Sequence, residues 1–239
     1  MLRDSFRFVT SPVHEDLQGE RIHDILKSKD GFWWIGSTRG LEKFDGTSLE
    51  KVNLKTKDGR PINVFIITHI MESEVYEDVL LMITQMSGIV EYNRKTGIAV
   101  HHMMNLHDST TIQGGTFYKN IVEEKNGDFW VTSNTFALNF FDRNKNRFFH
   151  FRPTLPQKIP NIAIAGLLGQ LVQCPVNPDF LWMNSRFGLY RFDKQSTKFT
   201  LFPYNTTIEY GNFGKVLALL ADEKEQILWV GSLSEGLKP

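Results

Sequence analysis

Apolar residues along this chain come in short runs broken by glycine, proline, asparagine and aspartate, and no 3.6-residue period is sustained through them. Segments 21–29, 64–73, 117–125, 167–176 and 215–223 contain stretches such as RIHDILKS and KVLALLAD, which fit short buried strands. Segments 47–53, 96–103, 146–153 and 197–203 alternate polar with apolar residues, as in NRFFHFRP and TKFTLFP, the period of a strand with one face covered. Between the two kinds of segment lies a pair of shorter runs. Its clearest form is DGFWWIGSTRGLEKFDG, Asp30 to Gly46. Asp30-Gly31 is a turn dipeptide, Phe32 to Ile35 is aromatic and β-branched, and Gly40-Leu41 with Phe44-Asp45 opens a second strand. The pattern predicts a β-hairpin flanked by one strand on each side.

This unit recurs. The position of Trp34 is taken by Met82, Trp130, Trp182 and Trp229, at spacings of 48, 48, 52 and 47 residues. Gly40-Leu41 corresponds to Gly88-Ile89, Ala137-Leu138, Gly188-Leu189 and Gly236-Leu237, and Phe44-Asp45 to Tyr92-Asn93, Phe141-Asp142 and Phe192-Asp193. A period in the forties to low fifties that carries strands alone is the mark of β-propeller blades. The fold class is therefore all-β, a propeller of four-stranded blades at 21–53, 64–103, 117–153 and 167–203, with an incomplete fifth at 215–239. Blade two has Glu77-Asp78 in place of the Asp-Gly turn, and blade three has one extra residue in its hairpin connection. The N-terminal SFRFVTSP, 5–12, reads like a fourth strand that precedes any first strand, and is expected to close a ring. The fifth copy only begins its third strand, so the chain is expected to be a fragment of a larger propeller, with an unpaired edge that favours self-association or instability.

Composition narrows the partners. Twenty-seven basic and twenty-seven acidic residues leave no net charge, which excludes the basic face that nucleic-acid binding needs. No apolar run approaches the roughly 20 residues of a membrane-spanning helix. Residues 1–11 lack the apolar core of a secretion signal. The apolar fraction of 41% supports a packed core, into which the five tryptophans are expected to fit between blades. Cys174 is the single cysteine, so no intrachain disulfide exists; it reads as a small buried hydrophobe of an inner strand. His101 and His102 point to opposite faces of a strand and do not make a metal pair, and no nucleophile-elbow, zinc-protease or P-loop pattern occurs. No cofactor is implied. Asp30, Asp45, Asp142 and Asp193 sit at turn positions and read as turn caps.

The motif I-x-x-I…D-G-x-x-W-I-G-T…G-L-x-x-F-D, carried here by Ile22, Ile25, Asp30, Gly31, Trp34, Ile35, Gly36, Gly40, Leu41, Phe44 and Asp45, resembles the two-component regulator propeller repeats. In that family the repeats form the periplasmic sensor region of hybrid two-component systems of Bacteroidetes. Two seven-bladed propellers and an immunoglobulin-like domain there precede a membrane span, a histidine kinase and response-regulator modules. The resemblance implies a periplasmic, non-catalytic region of a dimeric receptor that detects an oligosaccharide, with the remaining blades and signalling domains in the parent protein. Five blades are fewer than the family's ring.

Propellers bind at the face formed by the turns between second and third strands. Thr38, Arg39, Gln85, Asn134, Phe136, Arg186, Phe187 and Glu235 lie in those turns here. Together they offer hydrogen-bonding groups for sugar hydroxyls, aromatic surface for ring faces and two guanidinium groups for an acidic ligand. A lyase or glycosidase would need convergent acid–base groups, of which the turns hold only Arg39, Arg186 and Glu235. A protein-interaction platform is the other alternative.

Overall fold

The computed structural model describes residues 17–114, 118–133, 137–154, 168–185, 187–203, 216–232 and 236–238. The first sheet holds β1 (Ile22–Lys27), β2 (Trp33–Ser37), β3 (Gly40–Phe44) and β4 (Leu49–Lys51). The second holds β5 (Ile67–Glu72), β6 (Val79–Thr84), β7 (Gly88–Asn93) and β8 (Ile98–His102). The third holds β9 (Tyr118–Glu123), β10 (Phe129–Ser133), β11 (Leu138–Asp142) and β12 (Arg147–Phe151), and the fourth β13 (Leu168–Gln173), β14 (Phe180–Ser185), β15 (Gly188–Asp193) and β16 (Lys198–Pro203). The fifth holds β17 (Val216–Asp222), β18 (Ile227–Ser232) and β19 (Gly236–Lys238). Sequence neighbours pair antiparallel throughout. Successive sheets stack face to face, with β2, β6, β10 and β14 packing on the first strand of the next sheet, so the architecture is a β-propeller. Segment 5–12 lies outside the described residues.

The second strands explain the stacking. In β6, VLLMIT, Leu80 and Met82 enter an apolar cluster with Trp34, Leu41, Ile67 and Ile70, whereas Leu81 and Ile83 enter a different one with Ile121, Phe129, Val131 and Phe141. A nearly continuous apolar run is thus a period-2 pattern whose two halves are both buried, one against each neighbouring blade. Close approach requires a small residue at Gly36. A Cβ there would lie 2.9 Å from the Ile67 carbonyl oxygen of the next sheet. The motif glycine at the start of a third strand has a different reason: Gly88 sits at φ +84°, and a Cβ would come within 2.1 Å of the His102 carbonyl oxygen. Ala137, the corresponding residue of the third blade, shows no positive φ.

The motif acids cap turns. Asp45 Oδ1 accepts from the Thr47 and Ser48 amides at 2.7 Å each, and Asp193 Oδ1 from those of Gln195 (2.9 Å) and Ser196 (3.2 Å). These amides hold the Asp45 carboxyl below the ordinary range, and the Ser196 hydroxyl, with the Ser196 and Gln195 amides, does the same for Asp193. In the second, third and fourth blades the residue after the motif acid or amide ties sheets together at their far ends. Arg94 lies 3.1 Å from Asp30 and 3.0 Å from Glu72, Arg143 2.7 Å from Glu91, and Lys194 2.5 Å from Glu124. The cation just after the third strand thus reaches an acid of the preceding sheet, Asp30, Glu91 or Glu124, while the Arg94–Glu72 pair lies within the second sheet.

Two expectations need correction. Trp34 and Trp130 are buried between blades, but Trp33 faces outward at 38% exposure, because adjacent residues of one strand point to opposite sides. Cys174 follows β13 rather than lying within it and is half-buried.

Trp130 stacks at 4.4 Å on Phe140 and 5.3 Å on Phe192 of the next sheet, and its indole N–H donates to Glu124 at 2.6 Å. Trp130→Ala should lower unfolding stability by about 3–5 kcal/mol in denaturant titration.

Candidate functional site

The β2–β3, β6–β7 and β14–β15 turns, with the starts of the first strands, form one end of the sheet stack. Antiparallel pairing dictates this, since each first strand starts where the second strand of its sheet ends. At that end Thr38 is held within its own blade: its hydroxyl donates to Glu20 and accepts the Arg21 amide. Arg39 lies 3.3 Å from the fully buried carboxylate of Glu42, which Ser37 also meets at 3.1 Å. Its guanidinium balances a charge that burial would otherwise make costly. Phe187 is 3% exposed and packs with Leu168, Met183 and Tyr190, so its ring is core rather than an open platform. Gln85 is half-buried, with its backbone amide donating to the Ile66 carbonyl at 2.9 Å. Asn134, Phe136, Arg186 and Glu235 lie outside the described residues. The four described candidates therefore occupy separate surroundings, and Gln85 lines a cleft.

That cavity exists because of how the first strands meet. The inner edge of a first strand has no further strand to pair with, so its backbone groups need other partners. Side chains of the preceding blade provide them. Asp24 accepts the Ile70 amide and His69 Nδ1, each at 2.8 Å. Asn120 accepts the Leu171 amide at 2.6 Å and donates to the Leu171 carbonyl, and Gln170 accepts the Leu219 amide at 2.8 Å. All three precede, in register, the residue paired with the position after the motif tryptophan: Ile25 with Ile35, Ile121 with Val131, Leu171 with Met183. In the second blade that position is Thr68, before His69 paired with Ile83. Its hydroxyl turns back to the Ile83 carbonyl at 3.4 Å.

The consequence is a gap. β1 packs on β5, β9 on β13, and β13 on β17, whereas β9 packs on β6, as at the other junctions, with little contact to β5. A cleft of about 200 Å³ opens there, lined by Thr68, Thr84, Gln85, Tyr118 and Lys119. Thr84 is fully buried and donates to the Gly88 carbonyl at 2.8 Å. Tyr118 is 4% exposed, and its hydroxyl has no hydrogen-bond partner among the described residues. Burial pushes the phenol up to about 12, so it remains a neutral donor at physiological pH. The residue at this register, paired with the last position of the second strand, is Ile22, Ile67, Leu168 and Val216 in the other sheets. Tyr118 was readable from sequence only once a β-bulge between Val131 and Ser133 had been placed.

Two histidines at this end are engaged. His101 Nε2 contacts the Ser87 carbonyl at 2.5 Å and His102 Nε2 the Glu91 carboxylate at 2.7 Å. Among the described residues no group of three or more histidine, cysteine, aspartate or glutamate side chains could hold a metal, and no helix is long and apolar enough to cross a membrane.

No protein-family profile and no curated protein matches the chain. Solved structures do. The extracellular domain of a protein assigned as a hybrid two-component system of B. thetaiotaomicron superposes with a TM-score of 0.68 at 19% identity, covering 90% of this chain and 28% of that one. The extracellular domain of an assigned one-component system from the same organism gives 0.62 at 18% identity, covering 91% and 27%. The β-propeller domain of Cps50 (Swd1) from Myceliophteria thermophila gives 0.57 at 14% identity, covering 88% and 62%. At these identities the common property is the propeller fold, and the chain spans little more than a quarter of the first two proteins.

The inner-edge contacts carry a pH signature. Burial alone would raise the Asp24 carboxyl, but the hydrogen bonds from His69 and Ile70 outweigh it and hold the pKa below its ordinary 3.8. A depressed carboxylate stabilises the fold fully above the unfolded value and loses that contribution as pH falls through the folded one. Asp24→Asn should cost about 1–2 kcal/mol at pH 7, and the difference from wild type should shrink on acidification below pH ~3.8, as read from urea midpoints.

Proposed function

We propose that this chain is part of the extracytoplasmic sensing region of a hybrid two-component receptor, where it binds an oligosaccharide without turning it over. The observation that carries this reading is the superposition of nine-tenths of the chain on two extracellular domains of signalling systems, together with the repeat motif of Asp30 to Gly46. In this reading the protein resides in the periplasm, works as a homodimer and passes its signal to a histidine kinase elsewhere in the parent protein.

The chemistry of the described residues supports binding over catalysis. Asp45, Asp142 and Asp193 cap turns and have lowered pKa values, which makes them weak bases. The groups near the cleft are hydroxyl, carboxamide, phenol and ammonium, a set suited to holding an acceptor-rich ligand. Ligand binding across a blade junction would shift two sheets that are otherwise tied by side-chain contacts, which is a means of moving a receptor as rigid bodies.

A specific observation favours a second reading, a protein-interaction face. Phe65 (72% exposed), Met86 (70%) and Met103 (55%) all lie at the same end of the second blade. The Gln85–Ile66 hydrogen bond and the approach of Gly88 to His102 bring their backbones together. Exposed apolar residues grouped in this way mark contact surfaces.

A thermal-shift screen against neutral and acidic oligosaccharides separates the readings. The sensing role predicts a rise of about 2–4 °C with one saccharide class at saturating concentration. No shift with any saccharide, combined with loss of self-association in a Phe65→Ser, Met86→Ser variant, would transfer the assignment to the interaction face.

A further inference from the structure

Four of the five blades place an aliphatic residue at the first position of the inner strand, and the third places a tyrosine. At the corresponding sites Ile67 and Leu168 are completely buried, so the position is apolar by construction. A tyrosine there adds a hydroxyl that must leave water, and among the described residues that hydroxyl meets no partner. An idle buried hydroxyl is destabilising, and the aliphatic side chains of the sister blades show that the fold does not require it. The same junction lacks the inner-edge contact made by Asp24, Asn120 and Gln170 elsewhere, and it opens a cleft. A missing internal contact, an opened cavity and an unpaired buried donor coincide at one place.

We propose that the cleft between the second and third blades is a binding site for a single carboxylate-bearing sugar residue, such as the terminal unit of an acidic oligosaccharide. Resting on the sensing reading above, it names the ligand class and the subsite. The donors are the Tyr118 phenol and the Gln85 carboxamide, with the exposed ammonium of Lys119 at the rim. Among the described residues no acidic side chain contributes to the lining, so the set favours an anionic, acceptor-rich group over a cation. The Thr68 hydroxyl, bound only weakly at 3.4 Å to its own sheet, is positioned to add a neutral hydrogen bond to a sugar hydroxyl. At about 200 Å³ the cleft falls below the roughly 300–1,000 Å³ of sites for drug-sized ligands, which limits it to one sugar ring. A ligand seated there would bridge Thr68 of one blade and Tyr118 of the next, replacing the contact that the sequence omits.

The test is titration calorimetry of the chain with D-glucuronic and D-galacturonic acids, D-glucose, D-galactose and sodium acetate, repeated on Tyr118→Phe and Lys119→Met. The proposal expects binding of at least one uronic acid, weaker binding of the neutral sugars by about tenfold or more, and no binding of acetate alone. Tyr118→Phe should weaken the uronic acid by about tenfold or more while its melting temperature stays equal to wild type or rises, since the change only removes a buried unpaired hydroxyl. Lys119→Met, at an exposed position, should weaken the acid and flatten its salt dependence. Equal binding of acidic and neutral sugars would overturn the ligand class, and acetate binding as tightly as the uronic acids would overturn the sugar. If an oligosaccharide stabilises wild type and Tyr118→Phe alike, the cleft assignment falls and the sensing reading stands. If no saccharide of any kind binds the wild type, both fall.

Discussion

A four-stranded sheet with apolar side chains on both faces cannot be buried by itself, and this constraint organises the whole protein. β6 sends Leu80 and Met82 to one side and Leu81 and Ile83 to the other, so the second sheet is stable only when sandwiched. The third sheet repeats the arrangement, with Phe129 and Val131 facing back and Trp130 facing forward. Each interface therefore belongs to two repeats, and neither repeat can lose its half without exposing the other. This is the nearest-neighbour logic of repeat proteins.

Stacking two-faced sheets leaves polar problems at both ends of the first and third strands, and the two are solved differently. Near the first strands, neutral and acidic side chains bind the unpaired backbone of the next blade, as Asn120 does to both the amide and the carbonyl of Leu171. Just after the third strands, Arg94, Arg143 and Lys194 reach back to Asp30, Glu91 and Glu124 of the preceding sheets. The Glu91 carboxyl shows how such a pairing works. Burial would raise its pKa, but hydrogen bonds and charge from His102 and Arg143 more than offset this and keep it lowered, so it stays ionised in a largely apolar setting. Contacts of both kinds repeat with the blade period while their residue types vary, which lets one junction differ without unravelling its neighbours.

The difference at the second junction is where the structure departs from its own rule. The Thr68 hydroxyl turns to its own sheet, β9 makes little contact with β5, and the cleft there is bordered by a tyrosine whose counterparts are aliphatic. Deviations of this kind, where local chemistry contradicts the repeat, are the places at which function displaces packing. The apolar side chains of Phe65, Met86 and Met103 at the same end add to the distinct character of the second blade.

The hydrophobic pattern alone determined the fold class, because strand periodicity, turn chemistry and a returning Trp–Gly–aromatic signature are local properties that each repeat states again. Asp45 and Asp193 were likewise legible as turn caps, since their partners lie two and three residues away. The site was legible only in part. A place in a second-to-third strand turn picks out Gln85, which lines the cleft, but equally Phe187, which packs into the core, and Thr38 and Arg39, which are occupied by Glu20 and Glu42. Nothing in a linear spacing distinguishes a turn side chain that faces solvent from one that folds inward. Tyr118, Lys119 and Thr68 went unnoticed because their meaning depends on register across a β-bulge and on contacts between strands about fifty residues apart. The tertiary structure decided which polar groups find partners, since that depends on how closely two sheets approach, and closeness is set by the packing of both at once.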